Sequence, residues 1–362
     1  MSVKVFGVPL DPLDTLEHLG AKLAGIAEGI GKSGAGNADP YTALTALYAD
    51  LLARNHCRLL GQVGVEGFLR PRPPPQDALQ VTQTDYGVFL DTGGCLEYAG
   101  TVRDFVRSYV LPDPFMMLGV DHSSTGGALA ALADEAPVLV VLDAHHDGVD
   151  PTVKMEFSRY WMEARPREYA RLGISEGSYA AMRSVAPGSY YACGNFLERA
   201  IAQGWAAPER TCLVGLTDYP DRRLSSVSDS RVKAYVDAYQ RFERQGMTFL
   251  TAEALRHHPE REFAHLSRRV EGRPVYVSVD LDVAAGAGAA ATRFPITDGL
   301  DRTGIGRLVE WLAGLPRLGV RLLGADIMEL DVHAADSSQD AGRTYRVAGR
   351  FMAALVGAFD GT

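Results

Sequence analysis

The 362-residue chain is short of three things. It has only four cysteines, Cys57, Cys95, Cys193 and Cys212, and no two of them stand in a C-x-x-C pair. That excludes a disulfide scaffold or a cysteine-rich zinc module, and the thiols read as reduced side chains of a cytoplasmic protein. It has no apolar run of the length needed to span a bilayer, so no membrane partner is expected. The opening MSVKVFGVPLDP is interrupted by Pro9 and Asp11 too soon for a signal peptide. Finally, it lacks an excess of basic residues. Lys+Arg number 36 against 45 Asp+Glu, a net charge of −9, so the cationic surface that nucleic-acid binding draws on is missing.

What is present is a soluble α/β pattern. Hydrophobic residues make up 46% and charged residues 22%, ordinary for a chain with a sizeable core. No Pro/Gly/Ser linker divides it, so one domain over residues 1–362 is expected. Short β-branched runs at 3–8, 57–63, 115–120, 138–143, 189–193, 211–216, 274–280 and 320–326 read as strands. Between them lie segments with apolar residues at helical spacing, such as Leu44–Leu52, Thr125–Ala133, Arg231–Phe242 and Ile305–Leu312. Such alternation predicts a three-layer αβα architecture around a mostly parallel sheet of about eight strands.

Three short runs carry the chemistry. His122 stands in GVDHSS, Asp143, His145 and Asp147 in LDAHHD, and Asp280 and Asp282 in SVDLD. Each closes a run that reads as a buried strand, and carboxyl ends of parallel strands converge on one crevice. Asp143 follows His122 by 21 residues, enough for one helix and the next strand, and Gly126–Gly127 would let that helix start close to the site. In extended backbone Asp143, His145 and Asp147 would face one way and His146 another. Four crowded carboxylates repel one another unless cations intervene. With two imidazoles they make a donor set for two borderline-hard divalent ions, Mn²⁺ above all. Singly, each run reads as well as a helix cap or a common strand end; jointly they read as a site.

In these residues the chain resembles the ureohydrolases, the family that includes arginase and agmatinase. The signatures of that family read roughly GGDHS, DAHxD and SxDxD; here they stand in the same order as GVDHS (119–123), DAHHD (143–147) and SVDLD (278–282). ATRFPITDGL (291–300), GADIMEL (324–330) and VGLTDYPD (214–221) are similar to further family segments. The resemblance implies an arginase-like fold and hydrolysis of a guanidino group to urea and an amine by a metal-bridging hydroxide. It implies two Mn²⁺ per chain, one held by His122 and Asp147, the other by His145 and Asp282, with Asp143 and Asp280 bridging. Glu329 would hold the cationic guanidinium and Asp147 would pass a proton to the leaving amine. Homo-oligomers are common in the family, so the resemblance makes one possible here.

The departures from the family pattern shape the expected substrate. Where the family often has a histidine, ACGNFLERA (192–200) offers Cys193, with His146 and His333 as candidates to replace it and Asn195 as a further substrate contact. An insertion is expected at 149–188, where Phe157, Tyr160 and Trp161 line either a lid or a helix packed on the core. Arg293 and Phe294 replace small residues, so Arg293 is a candidate partner for a substrate carboxylate. Pro220 falls where the family has an acid. These changes favour a peptidyl arginine or modified guanidino compound over free arginine. Two rival readings are a zinc-dependent amide deacetylase on the same architecture and a non-catalytic binding relative.

Overall fold

The computed structural model describes residues 2–13, 15–29, 38–167, 191–337 and 339–359. Its centre is one sheet of eight strands: β1 (Lys4–Val8), β2 (Arg58–Gln62), β3 (Phe115–Gly119), β4 (Val138–Leu142), β5 (Thr211–Leu216), β6 (Thr248–Thr251), β7 (Pro274–Asp280) and β8 (Arg321–Met328). The strand order is β2-β1-β3-β8-β7-β4-β5-β6 and every pairing is parallel. This is the expected three-layer architecture.

The inner strands are continuous apolar runs because helices cover both faces of a parallel sheet. Successive side chains serve opposite layers. Val138, Val140 and Leu142 of β4 join one core with Phe351 and Leu355 of helix Arg343–Phe359. Leu139 and Val141 join the other, with Tyr98 of helix Gly94–Phe105 and Leu129 of helix Thr125–Ala131. The edge strands β2 and β6 are the more exposed ones, and both are short, which limits unwanted pairing at a sheet edge.

Two strand assignments need correction. Residues 189–193 were expected to be a strand; 189 and 190 lie outside the described residues, while Tyr191 and Ala192 are irregular and Cys193 opens a short 3₁₀ turn, Cys193–Asn195. The strand that takes that place, β6, has the sequence TFLT, too short and too polar for its period to register. The expected insertion begins as helix Pro151–Ala164, capped by Asp150. Phe157 stacks on Tyr235 of helix Ser230–Arg244 at a ring separation of 3.9 Å, so this residue serves packing. Residues 168–188 of that expected insertion lie outside the described residues.

Strand order places the site. The four central neighbours β3, β8, β7 and β4 end side by side, and they run into His122, Glu329, Asp280 and Asp143 respectively. The crossover helix Thr125–Ala131 starts close to this rim. A Cβ at Gly127 would strike the carbonyl of Ala99 in helix Gly94–Phe105, and one at Gly126 the Tyr191 hydroxyl, so the glycines let the crossover helix pack closely on those two neighbours.

Candidate metal centre

His122 sits on a short 3₁₀ turn after β3, its start capped by Asp121, whose carboxylate accepts from the Ser123 amide at 3.0 Å. The imidazole is fully buried. Its Nδ1 faces three carboxylates at once: Asp147 Oδ2 at 3.1 Å, Asp280 Oδ2 at 3.4 Å and Asp143 Oδ2 at 3.6 Å. Its Nε2 lies 2.8 Å from Ser278 Oγ. Ser278 in turn donates to Asp326 Oδ1 at 2.6 Å, a cross-strand pair in register between β7 and β8. Tyr276 and Thr125 donate to the other Asp326 oxygen at 2.7 and 2.8 Å. The chain of hydrogen bonds orients the ring, with Nε2 toward the serine and Nδ1 toward the carboxylates. That is the outer-shell arrangement metal-ligating histidines use. Ser278 and Asp326 are the residues that motif reading passed over; the signal was a serine opposite an aspartate one strand away, which needs the register to be seen.

Asp143, His145 and Asp282 form a second group, with ligand atoms within 4.8 Å of one another, and the first group is His122, Asp143, Asp147 and Asp280. Asp143 belongs to both. His145 Nδ1 is 2.5 Å from Asp282 Oδ2 and 3.9 Å from Asp143 Oδ1. Asp282 Oδ1 accepts from the Ala144 amide at 3.0 Å, tying the end of β4 to the turn after β7.

The route by which LDAHHD reaches the site differs from the expected extended run. The Asp143 carboxylate accepts from the His145 amide at 2.6 Å, which bends the backbone at once. Asp147 then adopts left-handed φ, +47°, a conformation aspartate tolerates better than most residues. The turn swings Asp147 back to His122. His146 goes elsewhere, as its position between the ligands suggested, but its candidacy as a substrate contact or replacement histidine must be corrected. It is buried against the rings of Tyr239, Phe242 and Phe249 at 4.6, 5.2 and 5.2 Å, and burial depresses its pKa to about 3. The His333 Nε2 lies 2.8 Å from the Pro71 carbonyl.

Electrostatics in the crevice are unbalanced. Burial and the neighbouring carboxylates Asp147, Asp280 and Asp282 push Asp143 well above the usual carboxylate range. Burial and Asp282 raise Asp280 to about 7. Burial opposes charge on both of these histidines, yet hydrogen bonds to Asp147 and Asp280 raise His122 and one to Asp282 lifts His145 to about 9. Asp147, despite burial, is held low by His122. Asp143 Oδ2 is buried without a hydrogen-bond donor. Four carboxylates and two imidazoles with an orphaned oxygen at the centre fit oxygen- and nitrogen-preferring divalent ions.

Glu329 follows β8, also in left-handed backbone at φ +65°. Two such residues within one crevice mark a strained, over-determined site. Its Oε1 accepts from the His122 amide at 3.0 Å, while Oε2 is buried and meets no donor. Burial raises its pKa well above the ordinary value, with Arg293 opposing the rise. Asn195 is buried and its Oδ1 accepts from the Ala192 amide at 2.9 Å. The Phe196 ring lies 4.4 Å from that of His122. Arg293, expected to await a substrate carboxylate, meets carboxylates of the chain itself: Asp121 Oδ2 at 2.7 Å and Asp11 Oδ1 at 3.4 Å. That is a correction, and its cause is depth, since a buried guanidinium must be paired.

A model of the arginase family matches residues 91–357. The chain belongs to the arginase family. No curated protein sequence matches it. Solved structures align along nearly its whole length. Proclavaminate amidino hydrolase from Streptomyces clavuligerus covers 99% of this chain and 92% of that chain at 19% identity and a TM-score of 0.57. Arginase from Bacillus caldovelox covers 98% of each at 17% identity and a TM-score of 0.58. Formimidoylglutamase from Bacillus subtilis covers 99% and 88% at 13% identity and a TM-score of 0.56. At these identities the likeness is one of fold, and it extends to the arginase-family chain as a whole, including the first 90 residues that the family model does not match.

Proposed function

We propose that this arginase-family chain is a binuclear, manganese-dependent ureohydrolase that splits a guanidino group into urea and an amine. The observation that carries the reading is the pairing of two unsatisfied acids at one rim: Asp143, shared by both ligand groups with a bare Oδ2, and Glu329 with a bare, buried Oε2. His122, Asp143, Asp147 and Asp280 would hold one ion, and His145 and Asp282, with the Asp143 and Asp280 bridge, the other. When bound, such a pair of cations lowers the pKa of water enough to make hydroxide available at neutral pH.

The chain's own residues do the rest. Glu329 holds the substrate guanidinium by accepting charge-assisted hydrogen bonds from its N–H groups at Oε2, and its Oε1, which accepts from the His122 amide, fixes the carboxylate plane relative to the ligands. Asp147 carries the proton: its carboxylate takes one as the guanidinium carbon becomes tetrahedral and returns it to the departing amine nitrogen. Phe196, against His122, shields that face from water. The substrate is arginine, a peptidyl arginine or a related guanidino compound. The amide-deacetylase alternative has less support, since it uses neither a second ion nor a guanidinium-holding acid.

Urea release after Mn²⁺ loading, measured with free arginine, agmatine, guanidino acids and an arginine-containing peptide, tests this. Release from at least one of them is expected, and Asp143→Ala should lower it by more than the roughly 100-fold that a lost outer-shell partner costs. Absence of urea from every compound in metal-loaded protein would refute the ureohydrolase reading.

A further inference from the structure

Beside the two histidine-bearing groups the crevice contains a third cluster of a different chemical kind. Cys193, Asp121 and Glu329 bring a sulfur and two carboxylate oxygens within 4.8 Å of one another. Asp121 and Glu329 are buried and Cys193 is half-buried. We propose that these three residues form a separate binding site for one thiophilic divalent ion, of the zinc or cadmium kind, on the wall of the crevice.

Charge accounting supports a cation there. Around this wall the other carboxylates have partners: Asp11 has Lys22 at 3.0 Å and His18 at 2.8 Å, and Asp121 has Arg293 at 2.7 Å. Glu329 Oε2 is buried and meets no donor. A divalent ion would be balanced by Glu329 and a Cys193 thiolate, with Asp121 lending a lone pair while keeping Arg293. The thiol would release its proton to solvent on binding, because a coordinating cation reverses the preference that burial imposes. One sulfur and two oxygens, with a fourth position left to water, suit a tetrahedral ion of borderline softness. The two neighbouring groups, built of imidazole and carboxylate alone, lack the sulfur that selects such ions. The ion would occupy the oxygen that the substrate guanidinium needs, so it would inhibit; this consequence, though not the binding itself, rests on the ureohydrolase reading.

The test is Cd²⁺ titrated into the Mn²⁺-loaded protein, followed by thiolate-to-cadmium charge-transfer absorption and by urea release. A band saturating at one ion per chain is expected. Cys193→Ser should remove it, Cys57→Ser should keep it, and Glu329→Gln should weaken Cd²⁺ binding at least about tenfold. The Cd²⁺ concentration that halves urea release should rise at least about tenfold in Cys193→Ser. Absence of the band, or a band that survives Cys193→Ser, overturns the proposal. A Cys193-dependent band in a protein that releases no urea supports the site and counts against the ureohydrolase reading alone.

Discussion

Two buried clusters of charge lie side by side in this molecule and were solved in opposite ways. In one, Asp11, Lys22, His18, Arg293 and Asp121 connect β1, the helix Leu16–Gly29 and the turn after β3. Every carboxylate there meets a side-chain cation, and Lys22 Nζ also donates to the Asp11 carbonyl at 2.7 Å and to Tyr86 at 3.0 Å. In the other, at the ends of β3, β4 and β7, four carboxylates share two imidazoles, and two of the acids are driven upward in pKa. The first cluster is charge-paired within the chain and reads as architecture, with Asp121 at its border toward Cys193 and Glu329. The second is finished only by added positive charge. Both clusters are buried, but the first sets two carboxylates against Lys22, His18 and Arg293 and the second sets four against two imidazoles; completeness of pairing tells them apart.

Breaking the complete cluster should cost stability most. Arg293→Met leaves Asp121 and Asp11 short of a buried cation, and about 3–5 kcal/mol of folding stability should be lost in a denaturant titration. A change below about 1 kcal/mol would mean that the pair is dispensable. Weakening the outer shell of the incomplete cluster should act on metal rather than on the fold. Ser278→Ala removes the partner of His122 Nε2, and Mn²⁺ affinity should fall roughly 10–100-fold; unchanged affinity would show that the ring is held by packing alone.

The comparison also has a pH dependence. Asp280 is raised from 3.8 to about 7 in the folded chain. A carboxyl raised on folding contributes stability that is complete below its unfolded pKa and is lost as pH rises through its folded pKa. In chelator, the melting temperature should therefore decline as pH rises from about 4 to beyond 7, and Mn²⁺ should remove the decline by binding the native state. An identical pH profile with and without Mn²⁺ would contradict the role assigned to the carboxylates. The smallest effect is expected at His146, which neither cluster uses. His146→Phe replaces one ring by another among Tyr239, Phe242 and Phe249, and stability should shift by less than about 1.5 kcal/mol with urea release retained. Loss of activity with the fold intact would restore His146 as a functional residue.

Much of this was legible in the sequence, for a definite reason. GVDHSS, LDAHHD and SVDLD each close a strand that is apolar throughout, and the end of a parallel strand is a predictable place in space. Glu329 was legible by the same rule. What could not be read was anything decided by a turn or by distant partners. Asp147 reaches His122 only because the Asp143 side chain bends the backbone and φ turns positive. Ser278 meets Asp326 through strand register, and Arg293 meets Asp11 across the whole chain. Strand β6 escaped because four half-polar residues carry no period.

The most direct measurement is an equilibrium titration of Mn²⁺ into metal-free protein and into Asp143→Ala. Because Asp143 belongs to both ligand groups, two ions per chain are expected in the native protein, with both affinities collapsing together in the variant. A native stoichiometry of one or none, or binding in Asp143→Ala indistinguishable from that of the native chain, would contradict the claim that this crevice is an electrostatic deficit built for two cations.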